Sequence, residues 1–289
     1  MQLTNSPVSE FTYSGRTFYI KRDDLLAPEF SGNKARKLAY LLQHDYPKVN
    51  TLISLGGYQS NLMYALSQLA KLKGWRFIYY SKKVAETAYL AKTSNLQASL
   101  ENGMELRDLS PALHAQLMTV QQPHELFIPQ GGALASAAWG IEQLAEEISL
   151  WAQGMNFPQV AVFVASGTGA TAGFLQKYLT QHKVYTTNCV ASVDYLIAQI
   201  QALDLNPLSL TIFPNTQWRF AYPTPELWQT VSLIKAVSNI EFDLVYDPIG
   251  WNILLANLAQ ITLPIIYLHC GGTMGNLSME GRYQRLLNS

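Results

Sequence analysis

The sequence contains little cysteine and little charge. Only Cys189 and Cys270 are present among 289 residues, which excludes a disulfide-rich scaffold and a zinc site built on thiolates. We interpret both as small, buried apolar side chains. Charged residues make up 14% of the chain, and 20 basic side chains balance 20 acidic ones. No global field therefore attracts nucleic acid or anionic lipid, and any anion site must be local.

Long apolar runs are also missing, since none approaches the length of a membrane span. Residues 1 to 11 lack a basic segment followed by an apolar core, so we expect no secretory signal and a cytoplasmic location. Hydrophobic residues nevertheless make up 48% of the chain, and no low-complexity run interrupts it. We therefore expect a folded globular protein with a large core.

Predicted strands and helices alternate along the chain. A β-branched run at 51–55 stops at two glycines, and apolar residues at helical spacing follow up to Gly74. The same reasoning predicts one helix over 84–100 and strands over 184–192 and 208–213. This alternation predicts a parallel sheet covered by helices on both faces.

A cluster of cations marks the start of one predicted helix. Ser31 and Asn33 are candidate N-caps, and Lys34, Arg36 and Lys37 crowd the first turn, where the helix macrodipole is already positive. A bound phosphate would supply the missing anion. A lysine made less basic by these neighbours and by the helix N-terminus is also suited to attack an aldehyde. The alternative is a solvated cluster on an ordinary amphipathic helix.

Three glycine-rich turns follow predicted strands, at 56–57, 166–173 and 271–272. Ligands bind at the carboxyl ends of strands in open α/β sheets, so we expect these turns to surround one pocket. The middle turn, Ser-Gly-Thr-Gly-Ala-Thr-Ala-Gly, can present backbone N–H groups and hydroxyls to a phosphate.

The middle turn also fits a dinucleotide-binding fingerprint. Gly167, Gly169 and Ala172 have the required spacing, and Asp194 stands where the next strand is predicted to close. An NAD-dependent oxidoreductase built on residues 167–194 is therefore an alternative.

Three polar side chains, Gln59, Ser60 and Asn61, lie at the first glycine-rich turn. A hydroxyl and two amides can surround a small polar ligand, although Ser60 or Asn61 could simply cap the following helix.

Several segments together closely resemble, in order, the motifs of the 1-aminocyclopropane-1-carboxylate deaminase and D-cysteine desulfhydrase family. The segments are Lys21-Arg22-Asp23-Asp24, Gly32-Asn33-Lys34-Ala35-Arg36-Lys37-Leu38, Gly56-Gly57-Tyr58-Gln59-Ser60-Asn61, Ser94-Asn95-Leu96, Phe127-Ile128-Pro129-Gln130-Gly131-Gly132, Arg219-Phe220-Ala221-Tyr222-Pro223, Asp243-Leu244-Val245-Tyr246 and His269-Cys270-Gly271-Gly272. The resemblance implies a pyridoxal-phosphate enzyme of the tryptophan synthase β-like fold (fold type II).

That fold consists of two three-layer α/β/α domains with mostly parallel sheets. The resemblance implies a larger, cofactor-binding domain from residues 1–43 and 140–289, and a smaller α/β domain from residues 44–139. It further implies a homodimer.

The resemblance also implies roles for individual residues. Lys34 would bond to the cofactor aldehyde and Lys37 would contact its phosphate, while Asn61 would hydrogen-bond the ring hydroxyl. Gln59 and Ser60, with Asn61, would hold the substrate, and Ser60 would also take part in proton transfer. Tyr222 and Tyr246 would lie on either side of the reacting carbon. The phosphate would be held by Gly167, Thr168, Gly169, Ala170 and Thr171.

Asp247 follows Tyr246 at the position where the deaminase branch has glutamate and the desulfhydrase branch has threonine. An aspartate there would face the pyridine nitrogen and keep it protonated, which favours the deaminase. The chain departs from the family pattern at Trp251 and at residues 62–64, where a basic residue is usual. We therefore expect a deaminase or lyase that converts a small amino acid, 1-aminocyclopropane-1-carboxylate or D-cysteine, to a 2-oxo acid and ammonia, with hydrogen sulfide from D-cysteine. A non-catalytic binding protein of the same fold is a further alternative.

Overall fold

The computed structural model describes residues 3, 5–27, 30, 32–84, 86–89, 94–119 and 122–288. Two sheets organise these residues. Their strands are Val8–Tyr13 (β1), Arg16–Arg22 (β2), Thr51–Leu55 (β3), Arg76–Ser81 (β4), Met104–Asp108 (β5), Glu125–Ile128 (β6), Ala161–Ser166 (β7), Lys183–Asn188 (β8), Thr211–Ile212 (β9) and Ile265–His269 (β10).

The helices alternate with the strands after β2. They are Gly32–Gln43 (α1), Asn61–Lys73 (α2), Glu86–Tyr89 (α3), Asn95–Glu101 (α4), Pro111–Thr119 (α5), Ala137–Gly154 (α6), Ala170–Tyr178 (α7), Val193–Gln201 (α8), Pro225–Ser238 (α9), Asp247–Ala256 (α10) and Asn276–Leu287 (α11). None of these helices in the described ranges is long and apolar enough to span a membrane.

The larger sheet has the order β1-β2-β10-β7-β8-β9, and the smaller has the order β5-β4-β3-β6. Every pairing is parallel except β1 with β2, so the predicted, mostly parallel character is confirmed. The sequence reasoning missed β1. It forms a hairpin with β2 through Ser14 and Gly15, whose φ angles of 49° and 72° suit a type I′ turn.

Apolar clusters cover both faces of each sheet. Phe242, Trp251 and Tyr267 belong to the cluster beneath α9, α10 and α11, while α6, α7 and α8 bury the opposite face of the larger sheet. The smaller sheet is covered by α1, α2 and α4 on one face and by α5 on the other. Both sheets are thus three-layered, as predicted. The proposed domain boundaries at residues 43 and 139 stay a prediction.

Several predicted elements differ from the structure. The helix predicted over 84–100 is two helices, because Ser94 is extended and caps α4 by accepting a hydrogen bond from the Gln97 N–H at 3.1 Å. The strand predicted over 184–192 ends at Asn188, and that over 208–213 shrinks to two residues. The first helix begins at Gly32 rather than near Lys34. Ser31, the other candidate cap, lies outside the described residues, as do 85 and 90–93.

Candidate active site

The three glycine-rich turns line one cavity, as the sequence predicted. They follow the carboxyl ends of β3, β7 and β10 and contribute Gly57, residues 166–171 and Gly271 to its wall. Parallel strands end together at one edge of a sheet, and here the ends of both sheets face the same cleft. The cavity therefore receives side chains from turns that are more than 200 residues apart in the chain.

Lys34 lines this cavity and donates from Nζ to Asn33 Oδ1 at 2.9 Å. Its pKa is lowered because the surrounding protein removes water from the ammonium, an effect that nearby Cys270 and Asp243 oppose. We predicted a less basic amine from cationic neighbours and the helix N-terminus, whereas burial is the main cause. A less basic amine is more often neutral, the form that attacks an aldehyde.

Lys37 lies one turn further along α1 and also lines the cavity. Its Nζ donates to the carbonyl oxygen of Gly131 at 2.9 Å. Burial lowers its pKa well below the ordinary value, and the charge of Lys34 lowers it further. The site thus holds two amines close together without a salt bridge to either, among the residues that the structure describes.

Arg36, the third cation of the cluster, faces away from the cavity. It forms ion pairs with Asp23 at 3.0 Å and Glu147 at 2.6 Å, and its side chain is 1% exposed. The prediction that all three cations need an external anion is therefore wrong for Arg36. Two carboxylates of the protein itself neutralise it.

The 167–171 segment joins β7 to α7. Gly169 caps α7 without a side-chain hydrogen bond, so N–H groups of the first turn have no capping oxygen. A side chain at Gly169, where φ is 72°, would meet Leu196 and Ile200 at 2.7 and 2.6 Å. Asn33 Nδ2 lies 3.5 Å from Thr171 Oγ1 and connects this segment to α1. The arrangement suits an anion at a helix N-terminus beside two lysines.

The Gln59–Asn61 turn lies on the opposite wall. Ser60 caps α2 by accepting hydrogen bonds from the N–H groups of Leu62 and Met63 at 3.1 and 3.4 Å. Ser60 is therefore a helix N-cap and also a residue of the cavity wall, so the capping and the ligand-binding interpretations are compatible. Its hydroxyl also contacts Tyr79 and opposes the burial-driven rise in the pKa of that side chain, so a ligand carboxylate would compete with Tyr79 for the Ser60 hydrogen.

Tyr246 and Asp247 line the cavity at the start of α10. Burial raises the pKa of both side chains above their ordinary values. Asp247 accepts hydrogen bonds from the Tyr267 hydroxyl at 2.7 Å and the Asp243 N–H at 3.0 Å. Its carboxyl group is thus held rigidly within the wall.

Tyr222 does not fit its predicted place. Its side chain is 56% exposed, and it is absent from the described cavity wall. Ala221 adopts a left-handed φ of 54°, and the Tyr222 N–H bonds the Arg219 carbonyl at 3.1 Å, so the turn directs Phe220 inward instead. Phe220 packs edge-on against Tyr246, with ring centroids 5.1 Å apart.

The position of Asp194 needs correction, and Trp251, the departure from the family pattern, can now be placed. Asp194 lies exposed in the first turn of α8 rather than at the end of a strand, because Ser192 caps that helix by accepting from the Tyr195 N–H at 3.2 Å. Trp251 lies outside the cavity. It is fully buried and stacks on Tyr267, with centroids 4.1 Å apart.

The sequence reasoning did not select Asp243 or Asn95 as site residues, yet both line the cavity. Each lies within a family-like segment, at 243–246 and 94–96, and that was the available signal. Burial raises the pKa of Asp243 to about 6, although N–H groups of Tyr246 and Val245, the Asn61 amide and Lys34 all oppose the shift.

Comparison with known proteins agrees with this architecture. No protein-family profile matches the chain. It is 29% identical to a D-cysteine desulfhydrase of Serratia proteamaculans over 90% of this chain and 88% of that protein. It is 23% identical to a putative 1-aminocyclopropane-1-carboxylate deaminase of Thermotoga maritima, with 93% and 92% covered. An ACC deaminase homologue of known structure superposes with a TM-score of 0.82 at 21% identity, with 98% of this chain and 94% of that chain covered. The resemblance seen in the motifs is thus confirmed: over nine-tenths of its length this chain is similar to proteins of the D-cysteine desulfhydrase and 1-aminocyclopropane-1-carboxylate deaminase type.

Proposed function

We propose that this protein is a pyridoxal-phosphate-dependent deaminase or lyase that converts a small amino acid to a 2-oxo acid and ammonia. The observation that carries the proposal is a pair of amines, from the half-buried Lys34 and the buried Lys37, in one cavity with the start of α7, which has no side-chain cap. An amine for an aldehyde and a cationic, N–H-rich pocket for a phosphate are what this cofactor requires. The donor set therefore fits the group.

Four parts of the chain would hold the cofactor. Lys34 would bond to the aldehyde, Lys37 and residues 167–171 would hold the phosphate, and Asn61 would hydrogen-bond the ring hydroxyl. When bound, pyridoxal phosphate supplies an aldehyde for the substrate amine and a ring that withdraws electrons from the α-carbon. Asp247, fixed by Tyr267, would hold a proton at the ring nitrogen.

The chain's own side chains would bind the substrate and move its protons. Ser60 donates its hydroxyl hydrogen to the substrate carboxylate, and Gln59 and Asn61 complete that subsite. Lys34, whose amine has a lowered pKa, would accept a proton from the substrate α-carbon. Tyr246, which packs against Phe220, would lie beside that carbon.

The cavity favours substrates with small, neutral side chains. Within the described wall, the only cations are Lys34 and Lys37, and both have roles with the cofactor. No further cation remains there for an acidic substrate side chain. 1-Aminocyclopropane-1-carboxylate and D-cysteine both meet this requirement, and D-cysteine would also yield hydrogen sulfide. A cytoplasmic location and a homodimer belong to the same proposal.

Release of 2-oxo acid tests the proposal directly. The purified protein, loaded with pyridoxal 5′-phosphate, is assayed with 1-aminocyclopropane-1-carboxylate, D-cysteine, L-cysteine and D-serine. We expect turnover of at least one substrate, and its loss together with the cofactor's visible absorbance in Lys34→Ala. Lys48→Ala is the matched control because Lys48 is exposed and far from the cavity wall.

Two outcomes would contradict the proposal. Absorbance of bound cofactor without turnover of any amino acid would favour a non-catalytic binding protein. A colourless protein that protects NAD would favour an oxidoreductase, although the exposed position of Asp194 argues against a ribose contact.

A further inference from the structure

Asp243 lines the same cavity as the Gln59–Asn61 turn and Tyr246. It precedes α10 and is 3% exposed. Its Oδ1 accepts hydrogen bonds from the backbone N–H groups of Val245 at 2.9 Å and Tyr246 at 2.5 Å. One carboxylate oxygen thus fixes the backbone that carries Tyr246 and leads into Asp247.

The other oxygen, Oδ2, and the Asn61 amide both lie beside Gly272. A Cβ built on Gly272 would lie 2.3 Å from Asn61 Nδ2 and 3.2 Å from Asp243 Oδ2. Contact with the Asn61 amide opposes the burial-driven rise in the pKa of Asp243 and so favours the charged carboxylate. Gly272, with a φ of 91°, is therefore the residue whose missing side chain allows this contact.

The orientation of each amide follows from its partners. Asn95 donates from Nδ2 to the Gln59 carbonyl oxygen at 2.8 Å and to Asn61 Oδ1 at 2.8 Å. Because a carbonyl can only accept, the Asn95 atom at this position must be nitrogen. Asn61 therefore turns its oxygen toward Asn95 and its nitrogen toward Asp243. Every donor in this series faces an acceptor.

These contacts connect the two sheets. Asn61 starts the helix after β3 of the smaller sheet, whereas Asp243 belongs to the layer that covers the larger sheet. Gln59 adds a second connection, since its Nε2 donates to Ser278 Oγ on α11 at 2.9 Å. That second contact is exposed to water, so the buried one at Asp243 contributes more.

We infer that Asp243 is a positioning residue, which holds the Gln59–Asn61 turn at a fixed distance from Tyr246 across the cleft. The inference rests on the proposed function, in which the turn binds the substrate carboxylate and Tyr246 lies beside the reacting carbon. Asp243 itself need not touch the substrate. Its two oxygens set the geometry between the groups that do.

Asp243→Asn separates the two contacts. Its amide oxygen can still accept from Val245 and Tyr246, but its NH₂ group faces the NH₂ group of Asn61. In the cofactor-free protein, we expect hydrogen exchange of residues 57–64 to quicken about tenfold, as for the loss of one polar contact to a buried carboxylate. Exchange at 245–246 should stay within about twofold of that in the wild type.

A donor–acceptor swap supplies the rescue. Adding Asn61→Asp to Asp243→Asn restores a complementary pair and keeps an acceptor for Asn95, so slow exchange at 57–64 should return. Asp23→Asn is the burial-matched control, since Asp23 is 0% exposed and pairs with Arg36. We expect it to lower overall stability without selective exchange at 57–64. Should Asp243→Asn fail to fold, Asn95→Asp replaces it, because its carboxylate faces two acceptors and should free the same turn.

Kinetics of the loaded enzyme give the second readout. We expect Asp243→Asn to retain the cofactor's absorbance and to raise the KM for the amino acid about tenfold, more than it lowers kcat. Unchanged exchange at 57–64, or equal exchange in the single and the swapped variants, would overturn the inference. Because exchange is measured without substrate or cofactor, absence of turnover in the wild type would overturn the proposed function alone.

Discussion

The two sides of α1 treat positive charge in opposite ways. On one side Arg36 contacts Asp23 and Glu147, and Lys21 joins the cluster through Glu147 at 2.6 Å. On the other side Lys34 and Lys37 form no ion pair with any residue that the structure describes, and their hydrogen bonds go to the neutral oxygens of Asn33 and Gly131. A single helical turn thus carries one cation in direct ion pairs and two cations without one among the described residues, although Asp243 interacts with Lys34 at longer range.

The difference separates a structural from a functional use of charge. Burying an ammonium group without a carboxylate costs stability, and its pKa falls as a result. A protein retains such groups where a ligand supplies the missing anion. The carboxyl groups also differ between the ion-pair cluster and the cavity. The pKa of Glu147 is lowered because Arg36 and Lys21 outweigh its burial. The pKa of Asp243, in the cavity, is raised by burial.

Removing Arg36 from its ion-pair cluster should have the largest effect on the free energy of unfolding. Arg36→Met leaves buried Asp23 without a cation and leaves Glu147 with Lys21 alone, so we expect the free energy of unfolding to fall by about 3–5 kcal/mol. Urea denaturation of the cofactor-free protein measures this. A loss under about 1 kcal/mol would show that the cluster does not stabilise the fold.

The free energy of unfolding should depend on pH differently through Asp243 in the cavity and through Glu147 in the ion-pair cluster. The Asp243 contribution should change by up to about 3 kcal/mol. The raised pKa of Asp243 means that the folded state binds its proton more tightly, so its contribution to stability is full below about pH 4 and is lost as the pH rises to about 6. Asp243→Asn should remove this decline. The groups that interact electrostatically with Asp243 are Lys34, Tyr246, Asp247, Cys189 and Tyr283.

Glu147 should behave in the opposite sense. Its lowered pKa gives stability that is present above its ordinary value and lost as the pH falls through the folded-state value. Glu147→Gln should therefore flatten the acid limb only. If the free energy of unfolding of the Asp243→Asn and Glu147→Gln proteins had the same pH dependence, the distinction between cavity and ion-pair cluster would be contradicted.

Removing the charge of Lys37 in the cavity should change the free energy of unfolding little. In Lys37→Met, we expect the cofactor-free protein to unfold at the same free energy or at one higher by about 1 kcal/mol, because an uncompensated buried charge is gone. The dissociation constant for pyridoxal 5′-phosphate should rise about tenfold, which corresponds to about 1.4 kcal/mol. Fluorescence titration measures the affinity, with Lys48→Met as the exposed control. Destabilisation as large as that of Arg36→Met would contradict the prediction.

The smallest effect is expected at Tyr222. Since it lies outside the described wall, Tyr222→Phe should leave turnover within about twofold of that of the wild type. Tyr246→Phe removes a hydroxyl inside the cavity and should reduce kcat at least about tenfold. If kcat fell equally in the two variants, Tyr222 would have to be assigned to the active site.

The sequence predicted the regular elements better than the connections between them. The strand at 51–55 and the stop of α2 at Gly74 were correct because β-branched residues and a left-handed glycine are strong local signals. The convergence of three glycine-rich turns also followed from strand order alone. The hairpin strand β1 was missed because it lies at the edge of the sheet and only Phe11 along it is buried.

The missed site features depend on long-range contacts. Nothing local to Arg36 reveals that Glu147, 111 residues away, neutralises it. Likewise, the contact between Asn61 and Asp243 requires both sheets to be in place, and the turn at Ala221 selects Phe220 over Tyr222 through its backbone conformation. Sequence patterns therefore predicted which segments form the site but not which side chains within them meet.

The identity of the bonded amine tests the account most directly. The protein is incubated with pyridoxal 5′-phosphate, reduced with borohydride, digested and analysed by mass spectrometry. We predict that the reduced cofactor is attached to the peptide that contains Lys34, and that Lys34→Ala carries none. Attachment to Lys37 or to an exposed lysine instead, or no attachment in the wild type, would contradict the assignment of Lys34 and with it the proposed chemistry.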